Sequence, residues 1–244
     1  MNNEDTIHNF LILILTSNDV SARRVAIRNY NITPEHINIA LDDVKYDIRS
    51  LAIQHKNVNE DNITKALKDN DPLIRLLAIQ QPKVNEGHLG RALYDKNVHV
   101  RYEAAISNKL PYFLIHKALT DESITIKEAA IGNENCDYIG FEYGINEAIE
   151  NDYTTVIMAA LNNKHCPIDV LIKLFKHEDE IIRLRAYTHM SATYKQQLEG
   201  LKDKSNLVKI GIAQHLNMPN EEIEKLKTTY DSNFLDWIQG FFKK

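Results

Sequence analysis

Glycine, proline and cysteine are scarce in this chain, and neither sign of charge dominates it. Its 244 residues include 8 glycines and 6 prolines, too few for many short strands joined by tight turns. The formal net charge of −5, from 29 basic and 34 acidic residues, is ordinary for a soluble protein. Hydrophobic residues make up 43% of the chain, which argues against a disordered protein. These observations predict a mainly helical globular fold.

Long apolar runs are also missing. The longest, residues 10–15, is far shorter than the roughly 18 to 20 residues of a membrane span. Glu4 and Asp5 stand where a signal peptide would carry basic residues, so we expect a cytoplasmic protein. The two cysteines, Cys136 and Cys166, do not make a disulfide framework, and we expect both to be reduced and buried.

The sequence contains an internal repeat with a period of 26 residues. Leucine, aspartate, basic and alanine columns recur in phase. The basic column consists of Arg23, Arg49, Arg75, Arg101 and Lys127, and the leucine column of Leu15, Leu41, Leu67, Leu93 and Leu119. The phase slips by four residues within residues 134–144 and then resumes at Ile149, Phe175 and Leu201. The chain therefore contains about eight repeats.

Each repeat carries the signals of two short helices. Six repeats have a residue that caps helix N-termini four positions after the leucine column: Asp19, Asp71, Asn97, Ser123, Asp179 and Ser205. The preceding segment has its own start signal, as at Thr33 and Pro34. Two helices of about ten residues cannot bury their apolar faces alone, so the helical hairpins are expected to stack.

The basic column lies on the arc of the second helix that is otherwise apolar. An unpaired charge there would cost several kcal/mol, so each basic residue needs a carboxylate. The aspartate column, Asp43, Asp69, Asp95 and Asp121, has the same period. We therefore predict a ladder of ion pairs between repeats. The alternative role for these arginines, contact with nucleic-acid phosphates, is less favoured because the aspartates are in phase.

The recurring segments ALKDNDPLIRLLAI and ALYDKNVHVRYEAA resemble HEAT-like repeats, especially the short bacterial form called the leucine-rich repeat variant. The resemblance covers about residues 10–226. It implies an all-α protein, an α-solenoid of about eight 26-residue helical hairpins over residues 1–230, used for binding. Related HEAT-like folds also include alkylpurine DNA glycosylases. The later repeats depart from the pattern, because Ile157 replaces the basic residue, and Asn151 and His177 replace the aspartate.

The C-terminal segment 231–244 reads as an amphipathic capping helix. It has a cap residue at Asp231 or Ser232 and apolar residues on one helical face, namely Phe234, Trp237, Ile238 and Phe241. Terminal repeats of solenoids need such a cap. A helix that docks on a partner or a membrane surface is the alternative.

A polar column follows the second helices and includes His55, His189 and His215. Its simplest role is to hydrogen-bond the free carbonyls at helix ends. Neighbouring repeats lie roughly 10 Å apart, too far for two of these histidines to share a zinc ion without other ligands. We predict no metal site.

The exposed stripe of the second helices is the predicted binding surface. It turns apolar and aromatic in the third and fourth repeats, and the predicted contact residues are Leu73, Leu76, His99, Tyr102 and Ile106, with Met158 at an equivalent position. A competing apolar stripe comprises Ile181, Leu184, Leu207 and Ile210. Alternatively, these residues pack between repeats.

No HExxH, glycine-rich phosphate loop, GxSxG or metal-spaced Cys/His cluster is present, so neither an enzyme nor a cofactor is predicted. A DNA-binding or glycosylase-like solenoid would need a basic stripe, and the stripe here has little beyond Arg24, Arg28 and Arg185. The sequence favours a non-catalytic scaffold that binds a protein or peptide in its concave surface. Nucleic acid remains the alternative partner.

Overall fold

A computed structural model of the protein describes residues 3–218, and all regular secondary structure in that range is α-helical. The predicted all-α class is confirmed for these residues. The chain divides into two compact units, the first ending at Asn135 and the second beginning at Cys136. This boundary lies inside residues 134–144, where the repeat loses phase. The predicted capping helix, residues 231–244, lies outside the described residues.

The first unit contains ten helices among its described residues. They are α1 (Asn3–Leu15), α2 (Val20–Ala26), α3 (Pro34–Ala40), α4 (Tyr46–Ile53), α5 (Glu60–Ala66), α6 (Pro72–Ile79), α7 (Glu86–Ala92), α8 (Val98–Ala105), α9 (Tyr112–Leu119) and α10 (Ile124–Gly132). Each odd-numbered helix packs against the even-numbered helix that follows it. Consecutive even-numbered helices, from α2 to α10, also pack against each other. No helix in the described part of the chain is long and apolar enough to cross a membrane.

The helices begin where the cap column predicts. All six predicted residues occupy N-cap positions, and those of α2, α6, α8 and α14 accept backbone N–H bonds through their side chains. Pro34 and Pro72 each stand at the start of a helix, where the missing N–H costs nothing. Short-range chemistry therefore fixes the starting points.

The core of the first unit is built from repeated positions. The second helices bury a β-branched residue at one position and an alanine four residues later; the pairs are Ile48 and Ala52, Ile74 and Ala78, Val100 and Ala104, and Ile126 and Ala130. The small alanines allow neighbouring helices to approach closely. The same pair of buried residues thus recurs in each of these second helices.

The predicted ladder forms. Five arginines donate from Nε and a terminal nitrogen to an aspartate 20 residues later; the pairs are Arg23–Asp43, Arg49–Asp69, Arg75–Asp95, Arg101–Asp121 and, in the second unit, Arg183–Asp203. The Nε–Oδ2 distance in the Arg75 pair is 2.6 Å, and Nη1 of Arg75 also donates to the carbonyl oxygen of Asp69. Each arginine thus joins the turn of its own repeat to the turn of the next. We call these five pairs the arginine–aspartate ladder.

The ladder is well balanced electrostatically. Hydrogen bonding to Asp95 raises the pKa of Arg75. Burial alone would raise the pKa of Asp95, but hydrogen bonds from Arg75 and from the Asn97 N–H lower it, and the net pKa lies below the ordinary value. Both partners therefore stay charged at neutral pH.

The second unit contains α11 (Tyr138–Glu150), α12 (Thr154–Asn162), α13 (Ile168–Leu174), α14 (Glu180–Tyr187), α15 (Tyr194–Gly200) and α16 (Asn206–His215) among its described residues. The four residues that shift the phase of the repeat are part of α11. α11 begins eleven residues before Ile149, whereas α13 begins seven residues before Phe175 and α15 seven before Leu201. Four residues are close to one turn of 3.6, so the insertion lengthens α11 by about a turn. The inserted residues are therefore part of a continuous helix and not of a loop.

The ladder is interrupted in the second unit. Ile157 takes the position of the arginine and is fully buried, and His177 takes the position of its aspartate 20 residues later. Nδ1 of His177 accepts the N–H of Asp179 at 3.1 Å, as the aspartates accept an N–H two residues later in other repeats. This repeat boundary keeps the turn hydrogen bond but has neither the arginine nor the aspartate.

Close helix contacts in the second unit depend on two glycines. A Cβ atom on Gly211 would lie 2.7 Å from the Leu184 side chain, and one on Gly200 would clash with Ile212 and Tyr187. The ring of Tyr187 stacks on Phe175 with a centroid distance of 4.2 Å. α14 therefore packs tightly against both α15 and α16.

The polar column satisfies backbone groups, as predicted. Nε2 of His189 lies 3.1 Å from the carbonyl oxygen of Asn163, and its Nδ1 accepts the N–H of Ser191. Asn133 in the first unit donates to the carbonyl oxygens of Ala105 and Ser107. These bonds connect consecutive repeats near the C-terminal ends of the second helices.

A second polar column was not predicted. His36, Asn62 and His88 each occupy the third position of a first helix and accept the N–H of the N-cap residue three positions earlier. Each is almost completely buried. Nδ2 of Asn62 donates to the carbonyl oxygen of Pro34, and Nε2 of His36 contacts that of His8. The column closes capping boxes and links the first helices at the same time.

Candidate binding surface

An apolar surface lies on α6 and α8 of the first unit. It comprises Leu73 and Leu76 on α6, His99 and Tyr102 on α8, and Ile106 at the C-cap of α8, and we call it the α6–α8 patch. The structure leaves 53% of Leu73, 38% of Tyr102 and 46% of Ile106 exposed, while Leu76 is half-buried. Because α6 and α8 pack side by side, five predicted contact residues share one surface.

The side chains bordering the patch are polar and carry little net charge. On α4, Ser50 and Gln54 hydrogen-bond to each other, and Asp47 pairs with Arg24 of α2 at 2.6 Å. That hydrogen bond lowers the pKa of Asp47. Inside the bounds of the five second helices of the first unit, Arg24 is the one basic residue that does not belong to the basic column. Positive charge outside the basic column is therefore sparse within these helices.

Three further apolar side chains extend the patch along the N-terminal ends of neighbouring second helices. They are Tyr46, Val98 and Ile124, each about 40% exposed. The sequence prediction missed them because the predicted stripe begins one residue later in each second helix, as at Leu73 and His99. Their shared position, directly after the cap column, is the signal that would have identified them.

The structure places the sixth predicted residue elsewhere. Met158 is half-buried on α12, which belongs to the second unit. In the competing stripe, Ile181 is exposed but Ile210 is buried, so the alternative that these residues pack between repeats holds at Ile210. The close approach of α14 to Gly211 covers that part of α16.

The potential metal ligands of the chain include the two cysteines, both of which are buried. Within residues 3–218, no group of three or more His, Cys, Asp or Glu side chains is arranged to hold a metal ion. Cys136 and Cys166 are free and buried, as predicted, and burial raises the pKa of each thiol to about 12. Neither cysteine therefore exists as a nucleophilic thiolate at neutral pH.

A scan against protein-family models and a search of curated proteins find no match to this chain. The assignment of function therefore depends on the surface itself.

Proposed function

We propose that the protein is a HEAT-like α-solenoid of stacked helical hairpins that acts as a non-catalytic binding module. The proposal for its architecture is supported by the 26-residue period, the contacts between consecutive second helices and the repeated arginine–aspartate ladder. Such arrays present long surfaces to extended partners.

The α6–α8 patch is the proposed contact surface, and its exposed apolar side chains carry the proposal. Leu73, Tyr102 and Ile106 are large, exposed and located on adjacent helices. Clustered exposed apolar residues usually mark contacts, and aromatic anchors usually supply most of the binding energy. The partner is therefore a protein or peptide segment that supplies apolar side chains.

The same surface argues against nucleic acid as the partner. Affinity for nucleic acid comes largely from neutralising phosphates with lysine and arginine. The ladder arginines are bound to aspartates, and Arg24 is bound to Asp47. Free positive charge is thus scarce beside the patch.

The test uses a peptide selected from a random library against the immobilised full chain. Leu73→Ala combined with Tyr102→Ala is expected to weaken binding of this peptide by about thirtyfold or more, since losing a central anchor commonly costs 2 kcal/mol or more. Fluorescence anisotropy measures the affinity. Because the side chains are exposed, the melting temperature should stay nearly unchanged.

The matched control is Tyr112→Ala with Phe113→Ala, which removes an exposed aromatic pair from α9. Equal loss of affinity in both double variants would contradict the assignment to the patch. Tight, salt-dependent binding of a DNA duplex by the wild-type chain would instead favour the nucleic-acid alternative.

A further inference from the structure

A second apolar surface lies between α1 and α2. It is a groove lined by Ile7, Phe10 and Ile14 of α1, by Val25 of α2 and by Tyr30, which follows α2. We call it the α1–α2 groove. Phe10 is 59% exposed, Val25 70% and Tyr30 75%. Within the described residues, nothing covers these side chains.

The repeat register shows what normally fills such a groove. Phe10 is equivalent to His36 and Asn62, 26 and 52 residues later, which are buried against the preceding repeat. Nδ2 of Asn62, for example, donates to the carbonyl oxygen of Pro34 in the preceding first helix. Val25 is equivalent to Leu51, which is half-buried. The α1–α2 groove is therefore a repeat-stacking face that the described residues leave open.

The groove is not suited to another repeat of the same kind. Ser17 stands where the other repeats of the first unit have the ladder aspartate, so an incoming arginine would find no carboxylate. Oγ of Ser17 is buried without a hydrogen-bond partner in the structure described here. Phe10 likewise replaces the polar residue that bonds to the preceding helix. Neither polar link of the other repeats is therefore available on this face.

The shape of the face favours association with itself. Phe10 and Tyr30 protrude beside a groove of matching apolar character, so one surface offers both the projection and the recess that a two-fold contact requires. Among its polar side chains, Asp19 caps α2, and Oδ1 of Asn29 accepts the N–H of Asn31. Asp19 is the one Asp, Glu, Lys or Arg among the residues that line the groove, so like-charge repulsion between two copies is limited to this capping carboxylate.

The available area is sufficient. Ile7 is 40% exposed and Ile14 is half-buried, so with Phe10, Val25 and Tyr30 the five apolar side chains present on the order of 500 Å² per copy. Two such faces together reach the roughly 1,000 Å² that a specific interface needs. We propose that the α1–α2 groove is the contact surface between two copies of this chain, with Phe10 and Tyr30 of each copy inserted into the groove of the other.

Sedimentation equilibrium of the full chain tests this proposal. The wild type is expected to form a dimer, and Phe10→Asp or Tyr30→Asp should weaken its association at least tenfold because each places a charge in the apolar contact. Two variants on separate segments guard against misfolding of α1, and circular dichroism confirms that each is folded. Val44→Asp, at a residue 83% exposed in the first unit, is the matched control and should leave the dimer intact.

Three results would overturn the proposal. A wild-type chain that stays monomeric at hundreds of micromolar lacks the contact. Species larger than a dimer indicate head-to-tail association instead of a two-fold contact. Loss of the dimer in Phe234→Asp with Phe241→Asp, but not in Phe10→Asp, assigns the association to the C-terminal segment. Peptide binding at the α6–α8 patch should be the same in Phe10→Asp as in the wild type, so this test is independent of the proposed function.

Discussion

Several histidines in this protein take positions that asparagines take in other repeats. His36 and His88 share one column with Asn62, and His55 and His189 share the other with Asn29, Asn133 and Asn163. In each of these histidines Nδ1 accepts a backbone N–H, as the side-chain oxygen of an asparagine does. Protonation of Nδ1 would remove a helix cap or a turn bond.

This arrangement makes the first unit sensitive to mild acid. Burial lowers the pKa of His88, and likewise that of His55, below the ordinary value of 6.5. A lowered pKa in the folded state means that the unfolded chain binds the proton more tightly. The stabilisation is therefore complete above about pH 6.5 and is lost as the pH falls from there through the lower folded value.

His88→Asn is expected to remove part of that acid sensitivity. Asparagine makes the same capping bond at position 62 and does not titrate. Urea denaturation at pH 7.5 and pH 5 measures the effect, and the variant should lose less free energy of unfolding than the wild type over this interval.

His99→Asn, at an exposed position without a capping role, provides the comparison. An unchanged pH dependence in His88→Asn would show that His88 accepts a proton without losing its cap.

Contacts that depend on local sequence and on the period were predictable, whereas side chains that serve two roles at once were not. The six N-caps and the ladder pairs follow from side-chain chemistry that needs only local sequence and the period. The second polar column, formed by His36, Asn62 and His88, was missed because histidine at the third helical position does not match the usual capping box, which has Glu or Gln there. Its role becomes visible only with the preceding helix in place.

At the level of helices, the ladder links elements that are distant in sequence. The Arg75 and Asp95 side chains are 5% and 9% exposed, so this is a buried pair between consecutive repeats. Removing one member of a buried pair leaves the other charge without compensation, which is more costly than the pair itself is worth. The ladder therefore contributes mainly to the register in which the helices stack.

Arg75→Ala is expected to lower the free energy of unfolding by about 3 kcal/mol. Urea denaturation followed by circular dichroism measures the loss. Arg24→Ala is the control, because its ion pair with Asp47 is about 40% exposed on both sides and should change the melting behaviour little. Similar small effects in both variants would show that water compensates the ladder.

The lengthened α11 illustrates what a period alone leaves undetermined. A shift of four residues is compatible with a loop, a bend or an added helical turn. The structure selects the turn, because four residues return the chain to nearly the same helical face and preserve the burial of Phe141 and Ile145. Only packing against neighbouring helices distinguishes these outcomes.

Over the whole molecule, the ladder is uneven. Four consecutive ion pairs link the repeats of the first unit, whereas the second has Ile157 and His177 at the corresponding positions before the pair Arg183–Asp203. The two replacements occupy positions that would otherwise pair. A charge introduced at either position alone would therefore have no counterpart.

Ile157→Arg and His177→Asp are each expected to destabilise the second unit, and the double variant should recover part of the loss. The coupling free energy between two such sites is on the order of 0.5–3 kcal/mol. Thermal denaturation of the wild type, both single variants and the double variant gives this value. Strictly additive losses would show that the two positions do not meet.

The distribution of exposed surface was the least predictable property of the chain. Periodicity indicated correctly that Leu73, Tyr102 and Ile106 lie outside the core, but it gave Ile210 the same status. Whether a position on the outer arc is covered depends on how closely the next helix approaches, and at Ile210 that distance depends on Gly211. The α1–α2 groove was missed for the opposite reason, since its residues match core positions of the repeat.

The constant 20-residue separation of the ladder partners limits how the length of this protein can change. A single residue inserted into the first helix between two partners would rotate the residues after it by about 100° and turn the aspartate away from its arginine. An insertion of about one turn keeps the side chains nearly in phase, and within the described residues the one such addition lies between Lys127 and Asn151, outside the five pairs of the ladder. Growth in the number of repeats preserves every pair of the ladder, whereas a single-residue insertion inside one of these helices separates a pair.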